Sequence, residues 1–391
     1  MFTSSNWTHL TSYLDIRQSE AWAYFYSASK DRHSMYGATP QKRGDITKEG
    51  NDMIHLRSFK HLSGAVAIAA GVLTSFAAQA ETSVVVGYQQ IVGPFISAIA
   101  DGRFDAAAKE AGYTIDWRQF SSGGDISTAL ASGNVPIGVI GSTGTTAAAS
   151  RGVELELFWI LDNIGKSEAL VAREGSGIEK PEDLKGKNVG VPFVSTSHFH
   201  LLVGLEQVWK TDPREVNILN MKPPQIVAAW QRGDIDAAYV WPPALSELLK
   251  SGKVISDSEA IGAASVPTFD GLVADKAWAE ENPKFMAAFT KVLADAYADY
   301  KANGSGWKAD SPQVQGMVKL IGGDAEGIVQ ALNLLSFPTA DEQVSDKWLG
   351  GGAVRALEAS AKFLVAQKQI DTALDDYALF VNSAYAKEAA K

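Results

Sequence analysis

The chain has 391 residues, 46% of them hydrophobic and 20% charged, the profile of a globular protein with room for two domains rather than of a disordered or fibrous one. Its formal net charge of −10 argues against nonspecific binding to nucleic acid or to an anionic membrane surface. Cysteine is absent, which excludes a disulfide framework, a thiolate metal site, a cysteine nucleophile and a lipid anchor on an N-terminal cysteine; a body of about 310 residues buries enough surface to stand without disulfides.

Residues 1–52 are aromatic and Ser-rich with no sustained helical or strand period, and are expected to be a non-native N-terminal extension outside the fold. Met53 opens a different pattern. Arg57 and Lys60 precede an apolar run from Leu62 to Phe76, and Ala78-Gln79-Ala80 follows, the order of a secretory signal peptide with an A-x-A cleavage site. Residues 53–80 are therefore expected to be removed on export to the periplasm, leaving a chain that begins at Glu81. A transmembrane anchor is the rival reading, but the run is short of the roughly 20 residues that span a bilayer.

From Ser83, SVVVGY predicts a buried strand ending at Tyr88-Gln89, then a helix from Phe95 to Ala111 and a strand TIDWRQF. Ser121 to Asp125 supplies helix-start chemistry, and PIGVIG makes the next strand. The stretch LASGNVPIGVIG at 130–141 returns as WQRGDIDAAYVW at 230–241: a helix closed by glycine (Gly133, Gly233), an Asn or Asp turn residue, and a short buried strand. This echo predicts two similar α/β units, although the same order recurs in α/β proteins at large. ELELFWIL and EALVAR add strands on either side of a polar corner, Asn163 to Ser167. A second unit starts near Ile178 with NVGVPF, a helix start at Ser195, VNILNM, a helix from Pro224 to Arg232 and IDAAYVW. The chain returns at VPTFDGLVAD, and segments near 284–302, 310–320, 325–334, 352–368 and 373–386 have helical period. The expected organisation is one lobe from 81–175, a second from 176–268, and a return to the first over 269–391.

In open α/β sheets ligands settle at the carboxyl ends of strands. Gly141-Ser142-Thr143 and Ser195-Thr196 are helix starts placed there, where unpaired amides and hydroxyls make anion sites; plain N-capping uses the same residues. Glu168 and Asp270 lie at turns flanking apolar strands, in the passages between lobes, and if both face a cleft they make a cationic site; solvated carboxylates are the alternative. Tyr88, Phe193, Tyr239 and Trp241 are candidates to wall it and to stack on an ammonium group, with Gln89 beside Tyr88 at the end of the first strand. Enzyme signatures fail: Gly165-Lys166-Ser167 lacks the leading glycine of a phosphate-binding loop, position 140 is Ile where a nucleophile elbow needs Gly, and His198 and His200, at i and i+2 on a helix, point apart rather than to one metal.

VVVGYQ, DWRQFSSGGDISTALASG, GKSEALVA, KPEDLKGKNVGVPFVSTSHF, KPPQIVAAWQRGDIDAAYVWPPA, SGKVISDSE and PTFDGLVA together run through most of residues 83–275. On these segments the chain resembles the periplasmic taurine, aliphatic-sulfonate and nitrate substrate-binding proteins of ABC-type importers. The resemblance implies an α/β, two-lobed periplasmic binding protein fold (type II) with two crossovers and a helical C-terminal region packing on lobe 1. It implies that the closed form docks on a membrane permease, that the protein is not an enzyme, and that it works as a monomer without cofactor or metal. A sulfonate would be held by the edges carrying Ser142, Thr143, Ser195 and Thr196, and an amine, as in taurine, by Glu168 and Asp270. Gly144 departs from the proline common in relatives. The alternatives are a carrier of other aliphatic sulfonates or nitrate-like anions, and an enzyme on the same scaffold such as the pyrimidine-synthesising relatives.

Overall fold

The computed structural model describes residues 82–391; the extension expected at 1–52 and the signal peptide expected at 53–80 lie outside the described residues. Ten strands follow in chain order: β1 (Thr82–Gln89), β2 (Tyr113–Phe120), β3 (Ile137–Gly141), β4 (Leu155–Asn163), β5 (Ala169–Arg173), β6 (Asn188–Val191), β7 (Asn217–Asn220), β8 (Ala237–Val240), β9 (Gly252–Asp257) and β10 (Phe269–Asp275). They form two sheets of one design, ordered β2-β1-β3-β10-β4 and β7-β6-β8-β5-β9. In the first, β1 runs parallel to β2 and β3; in the second, β6 runs parallel to β7 and β8. In each, the strand that crosses between lobes is inserted antiparallel beside the third parallel strand, β10 in the first sheet and β5 in the second.

The echo in the sequence is a repeat of position. Helices Gly123–Ala131 and Pro223–Arg232 precede β3 and β8, which occupy equivalent places in their sheets. Gly133 and Gly233 take left-handed φ of 70° and 79°, the conformation that ends a helix at least cost to glycine. Ile126 and Ile226, a hundred residues apart, are both 0% exposed, so each helix docks on its own sheet through the same register.

The crossovers lie side by side, with the Ile164 N–H donating to the Thr268 carbonyl at 3.2 Å. Because β5 pairs with β8 and β9, the chain is already in the second lobe at Ala169, and the expected boundary at 175 moves back to 164–168. β9, which no apolar pattern had marked, is an edge strand with largely exposed or half-buried residues.

The first core is aromatic where helix Pro283–Asn303 lies on the sheet: Phe289 meets Phe104 at 4.5 Å and Phe285 at 5.6 Å. Helix Gly352–Ala366 goes beyond the expected packing on lobe 1. It lies on helix Ser142–Ser150, and its Leu357, Ala361 and Leu364 join the second core, where Phe363 meets Phe199 edge-on at 4.8 Å. The helix expected over 373–386 is instead a turn at Ala378–Phe380 and a helix Ala384–Ala389. Val381 bridges to Leu157, and the Asn382 N–H donates to the Leu157 carbonyl, so contact with β4 holds this segment extended.

Candidate functional site

A cleft opens between the sheets. It gathers the carboxyl ends of the parallel strands: Gln89 closes β1, Gly141 closes β3, Phe193 to Thr196 follow β6, and Trp241 and Pro242 follow β8. This is where a doubly wound sheet places its ligands.

One end is built for an anion. Gly123 and Gly124 open helix Gly123–Ala131 and line the cleft, and Ser122 beside them accepts the Asp125 N–H at 3.4 Å. The first amides of a helix have no partner within it, and the dipole adds positive potential there. Helices Ser142–Ser150 and Thr196–Val203 point their starts into the same cleft through Gly141, Gly144 and Ser195. A side chain at Gly141 would come within 3.0 Å of Thr196 Cγ2 and 3.2 Å of Asp270 Oδ1, so glycine keeps this backbone open. The loop before Thr196 is fixed from behind. Val194 sits at φ 60° and donates its N–H to His198 Nδ1 at 3.3 Å, while Phe193 stacks on the His198 ring at 4.3 Å.

The wall that adjoins these helix starts at Gly141 and Thr196 is acidic. Asp270 stands opposite Asp162 in the β10–β4 register and opposite Gly141 in the β10–β3 register. Glu168, in the first crossover, is 1% exposed and accepts the Thr196 hydroxyl at 2.7 Å and the Ser258 hydroxyl at 2.9 Å. Burial raises its carboxyl above the usual range, and hydrogen bonding from the helix start at Thr196 and Ser197 and from the Ser258 hydroxyl pulls it part of the way back. Burial, then the charge of Glu168, pushes Asp270 up to about 7. Asp162 is raised well above the carboxylate range by burial, then by Asp270 and Glu168. Among the described residues no Lys, Arg or His lines the cleft, so its walls carry three carboxyl groups and no basic side chain from these residues. Among the described residues no cluster of His, Asp or Glu is arranged to hold a metal ion.

Of the twelve residues singled out from sequence, the cleft brings together Gln89, Gly141, Glu168, Phe193, Ser195, Thr196, Trp241 and Asp270. Tyr88 alternates to the other face of β1 from Gln89 and packs edge-on against Trp117 at 6.4 Å in the first core. Tyr239 is buried behind the site, its hydroxyl 3.1 Å from Ser258 Oγ. Ser142 and Thr143 are each 1% exposed and do not line the cleft, and their hydroxyls have no hydrogen-bond partner. Two hydroxyls have other work than the anion. Ser195 donates to the Pro192 carbonyl at 2.6 Å and accepts the His198 N–H at 3.2 Å, while Thr196 serves Glu168. Sequence reasoning passed over Asp162, Ser122, Ile164 and Leu335. The one signal for Asp162 is an acid at the end of an otherwise apolar strand, LELFWILDN.

Two α/β lobes of matching topology, joined by adjacent crossovers with a cleft between them, define the two-lobed periplasmic binding protein fold. The profile of the family described as NMT1/THI5 like matches residues 91–305. The chain is 42% identical to the taurine-binding periplasmic protein of Escherichia coli (strain K12) over 321 residues, 81% of this chain and 97% of that one. It is 28% identical to a putative aliphatic sulfonates-binding protein of Bacillus subtilis (strain 168) over 55% of this chain and 69% of that one. The chain belongs to the NMT1/THI5-like family. Among solved structures the periplasmic aliphatic sulphonate binding protein of Escherichia coli superimposes with a TM-score of 0.60 at 21% identity, covering 75% of this chain and 95% of that one. A desulfurization enzyme has the same fold, with a TM-score of 0.54 at 14% identity over 79% of this chain and 99% of its own.

Proposed function

We propose that this chain is a periplasmic substrate-binding protein that captures taurine, 2-aminoethanesulfonate, and delivers it to an ABC-type importer. The observation that carries this reading is the make-up of the cleft wall: helix-start amides beside Asp162, Glu168 and Asp270, with no basic side chain among the described residues that line it. Taurine carries one group of each sign on a short spacer, and an aminosulfonate satisfies both ends at once. A plain alkanesulfonate or nitrate would leave buried acids without a counter-charge, which burial makes costly. The sulfonate is assigned to the amides at Gly123-Gly124, Gly141 and Ser195-Thr196, with Ser122 and Gln89 beside them, and Phe193 and Trp241 as walls. In this reading the protein acts by binding rather than catalysis, as the names of its binding-protein relatives suggest. Export through residues 53–80, residence in the periplasm, a monomeric state and docking on a permease belong to the same reading.

Glu168→Gln tests it by calorimetry. Losing one charge-assisted hydrogen bond costs about 1.5 to 3 kcal/mol, so taurine should weaken roughly 10- to 150-fold while ethanesulfonate changes little. Equal losses for both ligands would assign Glu168 to folding or lobe closure.

A further inference from the structure

The acidic end of the cleft has two ways to relieve its charge, a ligand's ammonium or a proton. Asp162 stands directly across from Asp270 where β4 pairs with β10, and residues opposite one another on neighbouring strands share a face with Cβ atoms roughly 4.5–5.5 Å apart. Asp162 is 2% exposed, lines the cleft, and its Oδ1 has no hydrogen-bond partner. Glu168 is the acid best able to remain ionised, since both its oxygens already accept hydroxyls.

Among the described residues around the pair, none supplies positive charge. Tyr297, from helix Pro283–Asn303, donates its hydroxyl to the Leu161 carbonyl at 2.8 Å. Gln343 binds both the N–H and the carbonyl of Ile160. Tyr239 meets the hydroxyl of Ser258, which donates to Glu168, and Asp257, the neighbour of Ser258, adds negative charge near Tyr239. His198 and His200, on helix Thr196–Val203, are pushed down to about 4 by burial and are neutral. Lys166, in the crossover, is exposed and pairs with Glu259 at 3.3 Å. Two adjacent aspartates facing a third carboxylate in such surroundings cannot both stay ionised, and a pair of this kind titrates as a unit.

We propose that Asp162 makes this an ammonium-for-proton exchange site: in the empty cleft Asp162 and Asp270 share a proton, and the ligand's ammonium enters as that proton leaves to solvent. The proposal rests on the aminosulfonate reading above. Charge balances, because one positive charge replaces another between the same two carboxyl groups. Affinity for an aminosulfonate then rises with pH for as long as the empty site holds the proton, and levels off above that range. A sulfonate without an amine leaves the proton in place and shows no such rise.

Calorimetry in phosphate and in Tris, buffers of different ionisation heat, reads the exchange directly. At neutral pH the heat of taurine binding should differ between them by an amount equal to release of a fraction of a proton, and the heat for ethanesulfonate should not differ. Infrared spectra of the empty protein should show a protonated carboxylic acid at neutral pH that weakens in Asp162→Asn and when taurine is added, with thermal melting to confirm that the variant is folded. Taurine binding with a buffer-independent heat, or an empty protein without the acid band, would overturn the proposal. Failure to bind taurine at all would instead defeat the ligand reading, and the infrared band would still decide whether the proton is there.

Discussion

Asp270 ties the chemistry of the cleft to the stability of the fold. Its ordinary value is 3.8 and burial beside Glu168 raises it to about 7, so between those limits the folded protein keeps a proton that the unfolded chain has released. The stabilisation this gives is fully present at low pH and is lost as pH rises through about 7. His198 and His200 work in the opposite direction. Burial holds both at about 4 against an ordinary 6.5, so their contribution is present above 6.5 and is lost as pH falls toward 4. Comparing the unliganded protein with Asp270→Asn separates the two effects: the variant's melting temperature, relative to the parent, should climb between about pH 5 and about pH 8. An offset constant across that range would show that Asp270 is not protonated in the fold.

At the scale of elements, the two lobes are made by one repeated unit, and glycine sets how closely its helix approaches its sheet. A Cβ at Gly138 in β3 would fall 2.3 Å from Ile126 Cγ2, and one at Gly190 in β6 would fall 3.1 Å from Ile235 Cδ1 and 3.4 Å from Ile226 Cγ1. Gly138→Ala should therefore cost about 1 to 3 kcal/mol by overpacking, read as a lower denaturant midpoint, and Gly190→Ala should cost less; the reverse order would contradict this packing. The repeat was legible in the sequence because its parts are local: a helix stop at Gly133 or Gly233, a turn residue and a run of buried side chains. β9 was not, since an edge strand reading GKVISD has no apolar alternation to reveal it. The extended segment around Val381 was not either, because contact with β4 overrides its local helical period. The site divides in the same way. Glu168, Asp270 and the helix starts stand beside turns that mark them, whereas Asp162 becomes visible only when β4 is laid against β10. Tyr88 lies away from the cleft because strand alternation gives that face to its neighbour Gln89, and Tyr239 lies one layer back, where its hydroxyl meets the Ser258 that donates to Glu168.

Across the whole molecule, the lobes touch at the cleft mouth as well as at the crossovers. Lys222, ahead of helix Pro223–Arg232, binds both oxygens of Asp125 in helix Gly123–Ala131 at 2.8 Å, and Lys250 reaches Asp324 at 4.0 Å. Both members of the first pair are partly exposed, at 47% and 35%, so its effect is modest and sensitive to salt. Lys222→Gln should weaken taurine by at most about fivefold at low salt, with a larger mean radius of gyration in scattering, and the difference should shrink at high salt. A salt-independent loss would place Lys222 in the ligand site itself.

The central claim is that one cleft serves both charges of a zwitterion, and calorimetry of the unmodified protein with taurine, ethanesulfonate and ethylammonium tests it most directly. Each half-ligand leaves one end of the cleft empty. Taurine should bind at least 10-fold more tightly than either, on the order of one charge-assisted hydrogen bond or more. Ethanesulfonate binding as tightly as taurine would mean that Asp162, Glu168 and Asp270 do not hold an ammonium, and the aminosulfonate reading would be wrong.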